Sequence, residues 1–250
     1  MKFTSRERTP LAAAALTAVR ELRITLLHFN GARKSRSFRK THDLRLNVGC
    51  GAKKKQGWVN IDLSVGADLS LNLRRRLPFS NESCSIVYSE HFLEHLAYPS
   101  EALLFLSESY RVLRPGGTLS TGVPDTEWPV RAYSDDVADY FTYAKELWHP
   151  KWCVTRMEHI NYHFRQGEQH KFAYDCDALA QILDEVGFVN VTRHNYDPSI
   201  DSQDRGWVRY TSMLSNRWTK RCRDGLRSLQ VAELSPRTIR SAGVWAVQVD

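Results

Sequence analysis

Leu46-Asn47-Val48-Gly49-Cys50-Gly51 is a short apolar run that opens onto Gly-x-Gly, the way a parallel strand meets a ligand at the carboxyl edge of an open α/β sheet. Alone this is a generic signal. Its meaning comes from the ordered motifs downstream: Trp58-Val59-Asn60-Ile61-Asp62, then Leu77-Pro78-Phe79, then Leu93-Glu94-His95-Leu96, then Leu113-Arg114-Pro115-Gly116-Gly117. Leu44 to Val48, Val59 to Asp62, Asp68 to Leu71, Ser85 to Tyr88 and Thr118 to Val123 read as strands, with Phe188 to Arg193 and Gly243 to Val249 as two late ones. Helical patterns alternate with them, which argues a mostly parallel sheet with helices on its faces.

The helical stretches carry their own punctuation. Pro99 to Leu113 places Leu103, Leu104, Leu106 and Tyr110 at helical spacing and ends on a basic residue, Pro and Gly, a stop signal. Ala178 to Val186 is a second helix, closed by Gly187. Ahead of the first strand, Thr9-Pro10 and the apolar residues Leu11, Leu16, Val19 and Leu22 predict an N-terminal helix that Asn30-Gly31 stops, with Arg33 to Lys40 as a mobile linker. Residues 1–40 are thus expected as a basic helix and linker, and 41–250 as the main domain, with an insertion near 125–172 rich in His and aromatic residues.

Charge is unevenly distributed. Residues 1–40 carry ten Lys and Arg against Glu7 and Glu21, and residues 216–240 carry seven against Asp224 and Glu233, so a chain of net +7 has a body of −6 between basic arms of +8 and +5. Such arms suit phosphates on a membrane surface or nucleic acid, an anionic glycan, or plain solvation. The run Leu11 to Val19 is broken by Arg20, Glu21 and Arg23, which argues against a secretory signal. No stretch reaches the ~20 apolar residues of a membrane span. Five scattered cysteines without C-x-x-C spacing suggest no disulfide framework or zinc knuckle and fit a reducing cytoplasm.

A dinucleotide site of the G-x-G-x-x-G kind needs a third glycine and an acid about 20 residues on. Here Lys54 stands at the third position and Asp62 comes only thirteen residues after Gly49. A carboxylate at that place suits a ribose, whose two hydroxyls it can accept, so the spacing favours a mononucleoside.

Taken jointly, the Gly-Cys-Gly loop, the short first crossover, Leu-Pro-Phe, Leu-Glu-His-Leu and Leu-Arg-Pro-Gly-Gly resemble the class I S-adenosylmethionine-dependent methyltransferases, over about Leu44 to Phe188. The resemblance implies a Rossmann-like, seven-stranded, mostly parallel sheet with helices on both faces and an antiparallel C-terminal strand. It implies S-adenosyl-L-methionine as cofactor, with Asn47, Gly49, Cys50 and Gly51 along its methionine end, Asp62 at the ribose, Asn72 and Leu73 at the adenine and Glu90 near the sulfonium. Where an Asp usually meets the adenine amine, this chain has Asn72, whose carbonyl can still accept.

Methyl transfer is a direct displacement that rests largely on alignment, and a base helps only where the acceptor must lose a proton. Glu90 and His91 fall beside the reacting centre by this resemblance, and His163 and His170 in the insertion are further catalytic candidates, as is His159. His159 and His163 lie four apart, which on a helix would share a face, and Cys153 and His170 are conceivable third ligands. A full ligand set is not evident, and no metal is expected. Glu94 and His95 fit local hydrogen bonding.

The expected activity is methylation of a hydroxyl, with an amine or carboxylate as further acceptors, on a glycan, a lipid-linked sugar or another metabolite, in the cytoplasm or at an anionic membrane surface met through residues 1–40. Two alternatives compete: an RNA methyltransferase gripping phosphates with its basic arms, and a non-catalytic binding protein on the same scaffold.

Overall fold

The computed structural model describes residues 9–194 and 207–214. Six strands form one sheet: β1 (Leu44–Val48), β2 (Val59–Ile61), β3 (Cys84–Glu90), β4 (Leu113–Pro124), β5 (Phe188–His194) and β6 (Trp207–Leu214). Their order is β2-β1-β3-β4-β6-β5. β2, β1, β3 and β4 run parallel, and β6 lies antiparallel between β4 and β5. The helices are α1 (Pro10–Lys34), α2 (Ser100–Val112), α3 (Glu127–Ser134), α4 (Asp139–Leu147), α5 (Arg156–Arg165) and α6 (Cys176–Val186).

In strand β1, Leu44, Leu46, Asn47 and Val48 are buried and Arg45 is exposed, as a central parallel strand is covered on both faces over most of its length. Leu46, Val48, Ile61, Val87 and Leu119 from the sheet join Phe105, Leu106, Leu179 and Leu183 from α2 and α6 in one core.

Four expectations change. The stretch Asp68 to Leu71 contributes a single bridge, Ile61 to Leu69, so six strands rather than seven are formed among the described residues. The antiparallel strand next to β4 comes from Trp207–Leu214, and Gly243 to Val249 lies outside the described residues. At the Leu113-Arg114-Pro115-Gly116-Gly117 stop, α2 does end, but β4 begins at once, and the register jumps from Cys84 opposite Leu113 to Ile86 opposite Thr118. Gly116 adopts φ 73° in this bulge, a conformation that only glycine takes without strain.

The fourth change concerns the N-terminus. Asn30-Gly31 does not stop α1, which runs 25 residues and passes through a short 3₁₀ turn, Ser35–Phe38, toward β1. Gly31 is buried, and a Cβ there would sit 2.2 Å from the Ser70 carbonyl oxygen. Its missing side chain lets the helix backbone touch the loop after β2. The His28 ring accepts the Asn72 backbone N–H at 3.2 Å, and Glu21 ion-pairs Arg74 at 2.7 Å. The second half of α1 is therefore fastened to the loop 70–74 and is no free arm. Its other face exposes Leu11, Leu16, Val19, Leu22, Leu26 and Phe29.

Candidate functional site

The glycine loop leaves β1 with Gly49 at φ 67° and Gly51 at φ 51°. Its first amides are not free donors. Gly49 and Cys50 donate to the Ile61 carbonyl at 2.8 and 3.2 Å, and Gly51 donates to Asp62 Oδ2 at 2.9 Å. The glycines serve shape. A Cβ at Gly49 would fall 2.6 Å from the Phe92 ring, whereas one at Gly51 would meet nothing within 4 Å.

Asn47 braces this loop from below, donating through Nδ2 to the Lys53 carbonyl and to Asn60 Oδ1. Burial pushes the Cys50 thiol up to about 11, and the carboxylates of Asp62 and Asp68 add to the rise. It is an inert neutral group at physiological pH.

A cavity of about 580 Å³ opens beside the loop, within the usual size of a ligand site. Gly49, Asp62, Leu63, Asn72, Leu73 and Phe92 line it, and Arg20, Glu21 and Ile24 of α1 form an opposing wall. Asp62 accepts from Gly51 with one oxygen and from Ser64 N at 2.7 Å with the other. Each carboxylate oxygen has a second acceptor site, so the side chain can hold the loop and a pair of hydroxyls together. Asn72 differs from expectation. Its Oδ1 accepts from both Arg74 N and Arg74 Nε at 3.1 Å, which uses both lone pairs, so an adenine amine could be accepted there only if Arg74 moved.

Gly49 also lines a second cavity, of about 270 Å³, with Cys50, Gly51, Lys53, Lys54, Lys55, Tyr88, Glu90 and His91. Two of the expected catalytic residues thus meet at the end of β3. Tyr88 donates its hydroxyl to Glu90 Oε2 at 2.9 Å. His91 sits at φ 51°, its backbone N–H fixed to the Gly122 carbonyl of β4. A non-glycine residue held there carries backbone strain of a kind that gathers at functional sites.

The residue that sequence reasoning undervalued is Glu94. It is 1% exposed, and its Oε1 lies 3.1 Å from His91 Nδ1. Its backbone carbonyl accepts from Lys171 and Phe172 N–H, joining the short helical turn Leu93–His95 to the segment after the insertion. A carboxylate so placed can accept from His91 Nδ1–H, the tautomer in which Nε2 carries the free lone pair of the ring. The signal was the spacing itself, Glu three residues after His in Glu90-His91-Phe92-Leu93-Glu94, which becomes informative once the turn is known.

The other two catalytic candidates line neither cavity and border Glu94 from the side of the insertion. His163, on α5, is 3% exposed and its Nδ1 bonds the Tyr140 hydroxyl at 2.9 Å. His170 packs edge-on against His95, with burial lowering its pKa. A space of about 10 Å³ lies between His163 and His170, too small for an acceptor.

A family model described as a methyltransferase domain matches residues 46–121, the segment from the glycine loop through β4. No curated protein matches the chain. Among solved structures, phosphoethanolamine N-methyltransferase 2 of Haemonchus contortus, in complex with S-adenosyl-L-methionine, is similar over 75% of this chain and 52% of its own at 14% identity and TM-score 0.44. This chain therefore spans about half the length of that relative. A SAM-dependent methyltransferase from Archaeoglobus fulgidus is similar over 74% of this chain and 93% of its own, at 15% identity and TM-score 0.44. For one from Methanosarcina mazei the shares are 72% and 97%, at 16% identity and TM-score 0.42.

Proposed function

We propose that this chain, whose residues 46–121 match a methyltransferase-domain model, is an S-adenosylmethionine-dependent methyltransferase that acts on a hydroxyl of a glycan, a lipid-linked sugar or a similar metabolite. The observation that carries the choice of a hydroxyl is His91, which lines the cavity shared by Gly49, Gly51 and Glu90 and is backed by the buried Glu94 carboxylate. An amine acceptor arrives with a lone pair once neutral. A sugar hydroxyl holds its proton, and a base at hydrogen-bonding distance lowers the barrier.

The residues fit the cofactor. The larger cavity offers Asp62 for the ribose and an apolar lining of Ile24, Leu63, Leu71, Leu73 and Phe92. When bound, S-adenosylmethionine supplies a methyl group on a sulfonium, which the acceptor oxygen displaces directly. Gly49, common to both cavities, leaves room where the two ligands meet. His91 Nε2, buried in this structure, would take the hydroxyl proton on contact with the acceptor, with Glu94 stabilising the resulting imidazolium and holding the ring in place.

Calorimetric titration separates the parts of this reading. Wild type is expected to bind S-adenosylmethionine and not NAD, and Asp62→Ala to weaken the sulfonium nucleoside by about 100-fold, the loss of one or two charge-assisted hydrogen bonds at ~1.5–3 kcal/mol each. Binding of NAD in its place would remove the cofactor assignment. With radiolabelled cofactor, label enters a glycan or lipid-linked fraction and not RNA; the reverse partition would select the nucleic-acid reading.

The exposed apolar stripe of α1 favours a location. Leu16, Val19, Leu22, Leu26 and Phe29 stand clear of the body, with Arg20, Arg23, Arg33 and Lys34 on the same helix. A basic amphipathic helix of this kind lies in the interface of an anionic bilayer. The protein is expected to sediment with anionic vesicles at low salt, and Leu22→Glu with Leu26→Glu to abolish this while the cofactor still binds. Equal sedimentation with and without vesicles would refute the docking. No helix among the described residues is long and apolar enough to cross a membrane.

A further inference from the structure

Away from both cavities, the turn between α4 and α5 brings together three buried side chains that methyl transfer does not use. His149 lies just past the end of α4, Cys153 in the turn, and His159 on the first turns of α5. They are 6%, 1% and 3% exposed. The two imidazoles lie nearly parallel, 18° between planes, with their Nδ1 atoms 2.6 Å apart. One atom from each of the three residues falls within 4.8 Å of the other two.

The surrounding backbone is already satisfied, so the cluster is presented by a fixed frame. His149 N–H donates to the Ala144 carbonyl and Cys153 N–H to the Pro150 carbonyl. Thr155 and Glu158 form a reciprocal capping box at the start of α5, and Glu158 Oε2 also accepts from Val154 N at 2.8 Å. The thiol has only a weak contact, 3.8 Å to the Glu158 carbonyl. His149 Nε2 is buried without a partner.

Two facing Nδ1 atoms can share at most one proton, and the apposed lone pairs gain more from a cation than from each other. Burial lowers the His149 pKa to about 4, aided by His159, and burial lowers that of His159. An imidazole ligates a metal in its neutral form. The second core of the protein holds only Ala132, Tyr140, Phe141 and Ala144 in full burial, a small cluster for three short helices. Small cores of this size are commonly stapled.

We propose that His149, Cys153 and His159 form a zinc site that pins the α4–α5 turn of the insertion, with water in the fourth position. Two imidazoles and a thiolate are a borderline-soft donor set that suits zinc and excludes magnesium and calcium, which require oxygen ligands. The His159–His163 pair suggested by spacing alone does not converge on a third ligand among the described residues. The site stands independently of the methyl acceptor and of the cofactor.

Cobalt(II) titration of the untagged, reduced, metal-free full-length chain tests this. One equivalent is expected to give a thiolate-to-cobalt charge-transfer band with tetrahedral visible bands, and zinc to displace it. Cys153→Ser removes the charge-transfer band, and His149→Ala weakens zinc by at least about 100-fold, since changes to groups that merely support ligands already cost up to that much. Far-UV circular dichroism and S-adenosylmethionine binding check that these variants fold. Should either fail to fold, chelator treatment of the zinc-loaded wild type is expected to lower its Tm. Absence of the charge-transfer band in wild type, its persistence in Cys153→Ser, or binding of copper(I) with none of zinc would each overturn the assignment.

Discussion

Arg111→Met is expected to cost the fold about 3–5 kcal/mol, the range for breaking a buried ion pair from one side. The Arg111 and Glu108 side chains are 14% and 11% exposed and meet at 2.6 Å. The guanidinium also donates to the Leu77 and Phe79 carbonyls, and Glu108 Oε2 accepts Leu77 N–H at 2.8 Å. Leu77-Pro78-Phe79 is thereby held against α2 from both directions. Methionine keeps the stem and removes every guanidinium donor, leaving the buried Glu108 carboxylate with the Leu77 N–H alone and taking a donor from each of the Leu77 and Phe79 carbonyls. Glu108→Leu combined with Arg111→Met should be less destabilised than the sum of the single changes, because no lone charge then remains. Urea unfolding checks this, and a loss below ~1 kcal/mol for Arg111→Met would mean that water replaces the network.

His91→Ala is expected to lower kcat by about 10²–10³-fold, the usual contribution of a positioned base, with S-adenosylmethionine affinity within about threefold of wild type. Glu94→Gln should fall in the same direction but by less, since an amide can still hold the ring without stabilising its cation. Single-turnover kinetics with a saturating hydroxyl acceptor, together with calorimetry of cofactor binding, separates chemistry from binding. An unchanged kcat in His91→Ala would place proton removal on another group or on solvent. A cofactor affinity that fell in parallel with kcat would make His91 part of the binding wall.

Much of the sheet was legible because its signals are local. Leu44 to Val48 occupies the expected strand, with Leu44, Leu46 and Val48 in the core just ahead of the Gly49-Cys50-Gly51 turn. The end of α2 at Val112 is explained by Arg114-Pro115-Gly116-Gly117, which cannot continue a helix. Weaker local signals failed. Asp68 to Leu71 pairs only at Leu69 because it lies at the edge beyond β2. Trp207–Leu214 went unread although Val208, Tyr210 and Ser212 alternate with Arg209 and Thr211.

The N-terminal helix shows the limit most plainly. Asn30-Gly31 reads as a stop because glycine weakens a helix by about 1 kcal/mol. Here the absent side chain permits contact with Ser70, and that packing outweighs the propensity. The same docking turns Arg20, Glu21 and Ile24 into a wall of the larger cavity.

By itself the sequence determined the parallel sheet, the glycine loop and the acid at its second strand, because turn chemistry and hydrophobic period act within a few residues of one another. Tertiary structure alone decided that Glu94 serves His91, that Asn72 is occupied by Arg74, and that His149 rather than His163 faces His159. Those pairings depend on distances across turns and between helices, which no spacing along the chain specifies.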